Sequence, residues 1–121
     1  FQDSGCLTSD CLFCKIVARP IPAALVSEHE QVVAFDDINP QAPIHSLVIP
    51  RKHVTSIAGL QDADVMLLGR LMLAGNKVAN LKGIVDAGYR FVVNTGAHGG
   101  QSVFHLHLHV LGGRHMGWPP G

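Results

Sequence analysis

The sequence predicts an α+β fold: a five-stranded antiparallel meander sheet with one long helix and a short N-terminal helix. Five β-prone segments bounded by glycine and proline predict the strands, and one long segment with helical periodicity predicts the main helix. Strands and helices do not alternate regularly. This excludes a doubly wound parallel sheet, because parallel neighbours need a long crossover between them. The length of 121 residues suits one compact domain.

The first half of the chain supplies the short helix and three strands. The segment CLFCKIVARPIPA carries one apolar helical face before Pro20 and Pro22 end it. The segments ALVSEHE and QVVAFDD predict two strands around a tight turn. The loop INPQAP follows, and HSLVIP predicts a third strand that ends at Pro50.

The second half supplies the long helix and two further strands. We predict this helix from about Asp62 to Lys82, with Asp62 as its N-cap and with apolar residues at helical spacing. Gly69 and Gly75 lie inside it, and each costs roughly 1 kcal/mol of helix propensity relative to alanine. Either a close neighbour requires them to be small, or tertiary burial alone holds the helix. GYRFVVNTG and VFHLHLHVLGG predict the fourth and fifth strands.

Composition and cysteine usage exclude several classes of protein. Lys plus Arg and Asp plus Glu number nine each, so no basic field predicts nucleic-acid binding. No apolar run is long enough to span a bilayer, and no signal peptide is visible. The two cysteines of CLFC are too close for a framework disulfide, which favours a reducing, cytoplasmic location. Residues 1–10 predict a flexible N-terminal arm, followed by a single domain over 11–121.

The segment HLHLHV places three of the eight histidines at alternate positions. On a strand, His105, His107 and His109 would share one face at spacings of roughly 6.5–7 Å, with the apolar residues between them facing the core. Three imidazoles are poor core residues, because each buried ring nitrogen needs a partner. Two functional interpretations are therefore weighed against a purely structural role for the three histidines. One is a metal site, since His-x-His can bind zinc, and the other is nucleophilic catalysis by the central imidazole.

A glycine-rich turn directly precedes this segment. In HGGQS, Gly99 and Gly100 permit close backbone approach to a phosphate, and Ser102 adds a hydroxyl. Asn94, in NTG, can add a side-chain amide. A neutral imidazole can attack phosphorus when one ring nitrogen is tied by a hydrogen bond and the other is left unprotonated. The turn and the histidines together favour phosphate chemistry.

Several separated motifs resemble the histidine triad (HIT) superfamily of nucleotide hydrolases and transferases. HLHLHV is similar to the alternating histidine pattern of that superfamily. FDDINPQAPIHSLVIPRKH, NTGAHGGQSVFHLHLHVLGG and the ending WPPG resemble its histidine triad nucleotide-binding (Hint) branch in particular. The likeness runs from about Leu12 to Gly121, and it implies a HIT-like fold and a homodimer.

The resemblance implies a purine nucleoside phosphoramidase, which hydrolyses substrates such as adenosine 5′-phosphoramidate to the nucleoside monophosphate. His107 would attack the α-phosphorus and form a nucleotidyl-histidine intermediate, which water then hydrolyses. His109, with His45 beside it, would contact the phosphate and the leaving group, and Ser102 would complete the catalytic set. An ordinary histidine pKa of about 6.5 suits proton donation to a departing amine, and hydrogen-bond donors can replace a catalytic metal.

Two other functions are carried as alternatives. One is a dinucleoside polyphosphate hydrolase, as in another branch of the superfamily, although WPPG and the lack of an insertion for a second nucleotide count against it. The other is a nucleotide-binding regulatory module with little turnover. Hydrolysis of a phosphoramidate, compared with that of a dinucleoside polyphosphate, distinguishes the three.

The resemblance also implies the residues that bind the nucleotide. Asp37 would bind both ribose hydroxyls, and five apolar side chains would enclose the purine. The full set is Leu12, Phe13, Ile16, Phe35, Asp37, Ile38, Asn94, Gly100, Gln101, Ser102, His107, His109 and Trp118.

The pair Cys11-x-x-Cys14 is the second specific motif, and it has three interpretations. It is either half of a structural zinc site, two reduced thiols, or a redox pair, although no βαβ unit precedes it as in thioredoxin-like proteins. His53 and His105 are the candidate partners in a zinc site, and some bacterial HIT proteins look like this. Such a site would tie the N-terminal helix to the sheet and leave His107 unbound.

The fourth predicted strand, GYRFVVNTG, is long and apolar enough to be hazardous as a free edge. Pairing with a twofold-related copy would close that edge. Hint-like proteins form dimers of this kind, and the resemblance implies that Trp118 shapes the partner's leaving-group pocket. The alternative is a loose tail that exposes the tryptophan.

Overall fold

In the computed structural model, which describes residues 11–18 and 25–121, helices pack on both faces of one sheet. The predicted arm over 1–10 and the prolines at 20 and 22 lie outside the described residues. The elements are helix α1 (Leu12–Ala18), strands β1 (Leu25–Glu28), β2 (Val32–Asp36) and β3 (Ile44–Pro50), helix α2 (Val65–Leu81), and strands β4 (Tyr89–Val92) and β5 (Leu108–Gly112). No helix of this part of the chain combines the length and apolarity needed to cross a membrane.

The sheet confirms the predicted α+β class, with five strands in the order β1-β2-β3-β5-β4 and antiparallel pairing throughout. The order departs from a meander after β3. The chain leaves β3 through α2 and enters the edge strand β4, and β5 then returns between β3 and β4. The connection through α2 is long enough to skip a position in the sheet, whereas a tight hairpin would not be.

The two faces of the sheet bury different residues. One face packs against α2 and forms the larger apolar cluster, in which Leu71 and Val78 of the helix meet Val48 and Leu108 of the sheet. The other face packs against α1, where Phe13 and Ile16 meet side chains such as Leu47. Alternation along β3 therefore places His45 and Leu47 on the α1 face.

The start of the long helix differs from the prediction. A short 3-10 turn occupies Asp62–Asp64, and α2 begins at Val65, so the assignment of Asp62 as N-cap was wrong. Gln61 caps the 3-10 turn instead. Its backbone N–H donates to a carboxylate oxygen of Asp64 at 2.9 Å, which completes a capping box one residue earlier than expected.

The last two strands are shorter than predicted, because local hydrogen bonds divert the chain. β4 ends at Val92, and β5 begins only at Leu108. Before β5, the side chain of Gln101 donates to the carbonyl of Val103, and the His107 ring donates to the carbonyl of His105. The backbone N–H of Leu106 donates to the carbonyl of Val54, which lies beyond β3, so this N–H does not extend the ladder. His109 lies in the strand, whereas His105 and His107 precede it.

The two helix glycines differ in their surroundings, which predicts opposite effects of alanine. A Cβ at Gly75 would lie 2.7 Å from the Phe91 ring and 2.9 Å from the buried Leu108 side chain, whereas a Cβ at Gly69 would meet no described atom within 4 Å beyond the adjoining helix backbone. We expect Gly69→Ala to stabilise the protein by roughly 0.5–1 kcal/mol through helix propensity. Gly75→Ala should destabilise it by about 1–2 kcal/mol through overpacking. Denaturant unfolding checks both, and equal effects would contradict the close packing at Gly75.

Candidate active site and metal centre

A cavity of about 340 Å³ opens between α1 and the imidazole-bearing face of the sheet. Nine of the thirteen residues expected to bind a nucleotide line it: the apolar five, Asp37, Ser102, His107 and His109, and the expected catalytic residue His45 lines it too. The lining comprises Leu12, Phe13, Ile16, Phe35, Asp36, Asp37, Ile38, Asn39, Gln41, His45, Leu47, Ser102, Val103, His107 and His109. Its size and mostly apolar wall suit a small ligand with one polar end.

The ring of His107 lies in this wall in a defined orientation. Its Nδ1–H donates to the carbonyl oxygen of His105 at 2.7 Å, which leaves the lone pair on Nε2. Burial lowers the pKa of His107, against the opposing effects of this hydrogen bond and of Asp37. The ring is therefore neutral at pH 7, and one nitrogen is available as a nucleophile.

His45 and His109 form a hydrogen-bonded pair of fixed direction. The backbone N–H of Gln41 donates to Nδ1 of His45 at 3.0 Å, so the proton of His45 is on Nε2. That Nε2–H donates to Nδ1 of His109 at 2.9 Å. The proton of His109 is consequently on its own Nε2, which is buried and has no hydrogen-bond partner among the described residues. His109 can thus present an unused donor to a ligand in the cavity.

The pKa of His109 differs from the ordinary value assumed from the sequence. Burial, together with the neighbouring His107 and His45, lowers the pKa of His109 to about 4, while Asp37 opposes the shift. Burial likewise lowers the pKa of His45. Both rings are neutral at pH 7 in the protein alone. A bound phosphate anion would favour the protonated form of His109 and raise its pKa.

The glycine-rich turn is braced by Gln101. The carbonyl oxygen of the Gln101 side chain accepts the Gly96 N–H at 2.9 Å, and its amide donates to the carbonyls of Thr55 and Val103 at 2.7 and 3.1 Å. Gly100 adopts a φ of 85°, which favours glycine. The hydrogen bonds of the buried Gln101 side chain therefore hold the loop in place, and the loop positions Ser102 in the cavity wall.

Four of the expected nucleotide-binding residues lie outside the cavity wall as described. Asn94 is half-buried, Gly100 and Gln101 lie in the braced turn, and Trp118 is 81% exposed. The ring of Trp118 lies 5.9 Å from the guanidinium of Arg90.

Sequence reasoning missed five wall residues. Asp36, Asn39, Gln41, Leu47 and Val103 line the cavity but were not assigned to it. Alternation from His45 along β3 could have identified Leu47. The backbone N–H of Gln41 also orients the His45 ring by donating to its Nδ1. Any residue type can make such a backbone hydrogen bond, so the sequence does not indicate this role.

The structure brings together the four residues expected to hold zinc. Ligand atoms of Cys11, Cys14, His53 and His105 all lie within 4.8 Å of one another. Nδ1 of His105 lies 3.4 and 3.6 Å from the two sulfurs, and Nδ1 of His53 lies 3.2 Å from that of Cys14. Tetrahedral zinc with ordinary bond lengths separates sulfur and nitrogen ligands by about 3.6 Å, so the spacing fits.

Hydrogen bonding prepares His105 for this site. Its Nε2–H donates to the carbonyl oxygen of Pro50 at 2.8 Å, which directs the Nδ1 lone pair towards the thiols. Burial lowers the pKa of His105 to about 4, against the bond to Pro50, so the ring is neutral at pH 7. Cys11 and Cys14 are not joined by a disulfide, and each lies against an imidazole. This donor set favours a metal site over a redox pair.

A second cluster, formed by Asp37, His45 and His109, has ligand atoms at similar spacing. Its chemistry is different. Because Nδ1 of His45 accepts the Gln41 N–H, Nε2 of His45 carries a proton and is not available to coordinate a cation. This cluster acts as a chain of hydrogen bonds that ends at His109.

Comparison with known proteins decides the family. The family model described as the HIT domain matches residues 18–116. The chain belongs to the HIT family. An uncharacterised HIT-like protein from Synechocystis is 50% identical over 115 residues, which cover 95% of this chain and 100% of that protein.

Solved HIT structures share the same architecture. A HIT family hydrolase from Legionella pneumophila superposes with a TM-score of 0.90 at 49% identity, covering 93% of this chain and 100% of that one. A histidine triad protein from Clostridium difficile gives a TM-score of 0.88 at 41% identity, covering 91% and 96%. This chain therefore has the HIT fold over nearly its full length.

Proposed function

We propose that this HIT protein is a purine nucleoside phosphoramidase of the Hint type. The proposal depends on the state of the His107 ring, which lies in the wall of a nucleotide-sized cavity. Its Nδ1–H donates to the His105 carbonyl, so its Nε2 is unprotonated. An imidazole that is neutral, oriented and accessible to a ligand has what nucleophilic attack requires.

In the proposed reaction, Nε2 of His107 attacks the α-phosphorus of the substrate. The bond from phosphorus to the imidazole forms as the bond from phosphorus to the leaving nitrogen breaks, and the electron pair departs with the amine. His109, protonated when the phosphate anion of the substrate is bound, donates its Nε2 proton to the departing amine, and it takes a proton back from the water of the second step. Water then attacks the nucleotidyl-histidine, which releases the nucleoside monophosphate and regenerates His107.

The cavity wall suits one nucleotide with a single phosphate. The purine would lie among apolar side chains, including Phe13 and Phe35, and Asp37 would bind the ribose hydroxyls. The carboxylates of Asp36 and Asp37 also line the cavity. The residues described in the wall include no lysine or arginine that could pair with the additional phosphates of a longer chain, which favours phosphoramidates over dinucleoside polyphosphates.

A steady-state comparison of substrates tests the proposal. We expect hydrolysis of adenosine 5′-phosphoramidate to proceed with a kcat/KM far above that for diadenosine tetraphosphate. Preference for the tetraphosphate would establish the polyphosphate hydrolase instead. Tight binding of AMP with no turnover of either compound would establish a regulatory module.

We also propose that Cys11, Cys14, His53 and His105 hold one structural zinc ion. The support is the matched donor set, the spacing of its atoms and the orientation of His105 by Pro50. When bound, zinc would join α1 to the chain that precedes β5, with no part in the phosphoryl transfer. Thiolate ligands require a reducing compartment, which agrees with the cytoplasmic location expected from the sequence.

Finally, we propose a homodimer formed through the β4 edge and the exposed side of α2. β4 is a terminal strand of the sheet, and the Tyr89 hydroxyl of β4 donates to Asn76 of α2. Val65 and Met72 lie on the same helix face as Asn76 and are 67% and 41% exposed. A guanidinium nitrogen of Arg90 in β4 donates to the Gly117 carbonyl at 2.9 Å. This hydrogen bond holds the segment with Trp118 beside the same edge. Sedimentation equilibrium should give twice the chain mass of 12.9 kDa, and a monomer at micromolar concentration would contradict the proposal.

A further inference from the structure

Helix α1 contributes to both sites described above. Cys11, directly before the helix, and Cys14, within it, provide two of the four metal ligands. Leu12, Phe13 and Ile16 of the same segment form one wall of the nucleotide cavity. We infer that Cys11 and Cys14 are positioning residues for the nucleotide, and that metal and nucleotide therefore bind cooperatively.

The metal ligands hold the start of α1 against distant parts of the chain. Cys11 lies against His105, and Cys14 lies against both His53 and His105, at sulfur–nitrogen distances of 3.2–3.6 Å. The sulfur of Cys11 also accepts the backbone N–H of Cys14 at 3.3 Å. A metal bound by this group would replace weak thiol–imidazole hydrogen bonds with stronger coordinate bonds.

Phe13 transmits the position of α1 to the site. Its ring packs edge-on against the rings of His105, His107 and Phe35, with centroid separations of 5.9, 5.1 and 5.6 Å. A single buried side chain thus touches a metal ligand, the nucleophile and the base-binding wall. Displacement of α1 would remove that wall from the cavity.

The orientation of the nucleophile depends on other contacts. The direction of the His107 ring is set by its hydrogen bond to the His105 carbonyl, and α1 adds only the edge-on contact of Phe13. Loss of the metal should therefore weaken nucleotide binding more than it slows the chemical step. Because linkage is reciprocal, bound nucleotide must strengthen metal binding by the same factor.

The experiment measures both directions of this linkage in the whole chain. The metal content of the purified protein is determined first, and we expect one zinc per chain. AMP affinity is then measured by calorimetry with and without zinc. We expect the Kd for AMP to rise about tenfold on metal removal, and saturating AMP should lower zinc transfer to a chromophoric chelator by the same factor. For a hydrolysed substrate, KM should rise about tenfold and kcat should change less than about threefold.

Matched variants separate positioning from general loss of stability. Cys11→Ser should reproduce the metal-free Kd for AMP even with zinc present. Cys6 lies in the predicted arm over residues 1–10 and is not one of the four proposed ligands, so Cys6→Ser should not change that Kd. Gly83→Ala lowers stability because Gly83 has a φ of 71°, and it lies in neither the cavity wall nor the metal group, so it should leave both affinities unchanged. Circular dichroism confirms that each variant is folded at the temperature used.

Two outcomes would overturn the inference: a protein that binds no zinc, or a folded metal-free protein whose AMP affinity equals that of the zinc-loaded form. The inference rests on the proposed nucleotide site but not on its chemistry. Failure to hydrolyse any phosphoramidate would refute the proposed activity and leave the linkage measurable with AMP.

Discussion

Replacement of His107 by alanine is expected to reduce phosphoramidate turnover by at least about 10,000-fold. The substitution removes the atom that, in the proposed reaction, attacks phosphorus, so no nucleotidyl-enzyme should form. The variant should still fold, because the His107 ring lies in the cavity wall. The larger apolar cluster on the opposite face of the sheet, which includes Leu106 and Leu108, is unchanged. AMP should bind with an affinity within a few-fold of the wild type, since the apolar walls and Asp37 remain.

Rapid acid quenching followed by mass spectrometry checks this result directly. The wild-type chain should show a covalent adduct with the mass of one nucleotidyl group, and His107→Ala should show none. His115→Ala is a matched control, because this exposed histidine lines none of the described cavities. Turnover close to that of the wild type in His107→Ala would refute the assignment of the nucleophile.

Replacement of His109 by alanine is expected to slow turnover by roughly 100- to 10,000-fold when the leaving group is an alkylamine. Alkylamines are strong bases and leave poorly unless they are protonated, and His109 carries the buried Nε2–H that no described residue uses. The loss should be much smaller for an aniline leaving group, which needs less help from an acid. Equal losses for the two leaving groups would show that His109 serves only to position the phosphate.

The titration of His109 offers an independent test of the same role. Its pKa of about 4 in the protein alone means that the ring binds no additional proton near pH 6. An anionic nucleotide raises that pKa, so AMP binding should take up protons between about pH 4.5 and 6.5. Calorimetry in buffers of different ionisation enthalpy measures this uptake. His109→Gln should abolish it, and uptake that persists in this variant would place the proton elsewhere.

Much of the site could be predicted from short-range patterns. The alternation of His105, His107 and His109 with leucine predicted which side chains face the core and which lie on the opposite face. That division holds even though two of the three histidines precede β5. The Cys-x-x-Cys spacing, with His53 and His105 as candidate partners, predicted a four-residue group that the fold assembles. The predicted boundaries of helices and strands were wrong where a side chain hydrogen-bonds to a backbone group, as near Gln61 and Gln101.

What the sequence determined by itself was the set of chemical groups and the faces on which they stand, because propensity and periodicity act over a few residues. The tertiary structure alone decided which nitrogen of each histidine carries its proton. That choice depends on partners remote in the chain: Pro50 for His105, and His45 for His109. It also decided that α1 contributes both to the group of two cysteines and two histidines and to the wall of the cavity. Burial and long-range hydrogen bonds arise only when distant segments meet, and no local pattern encodes them.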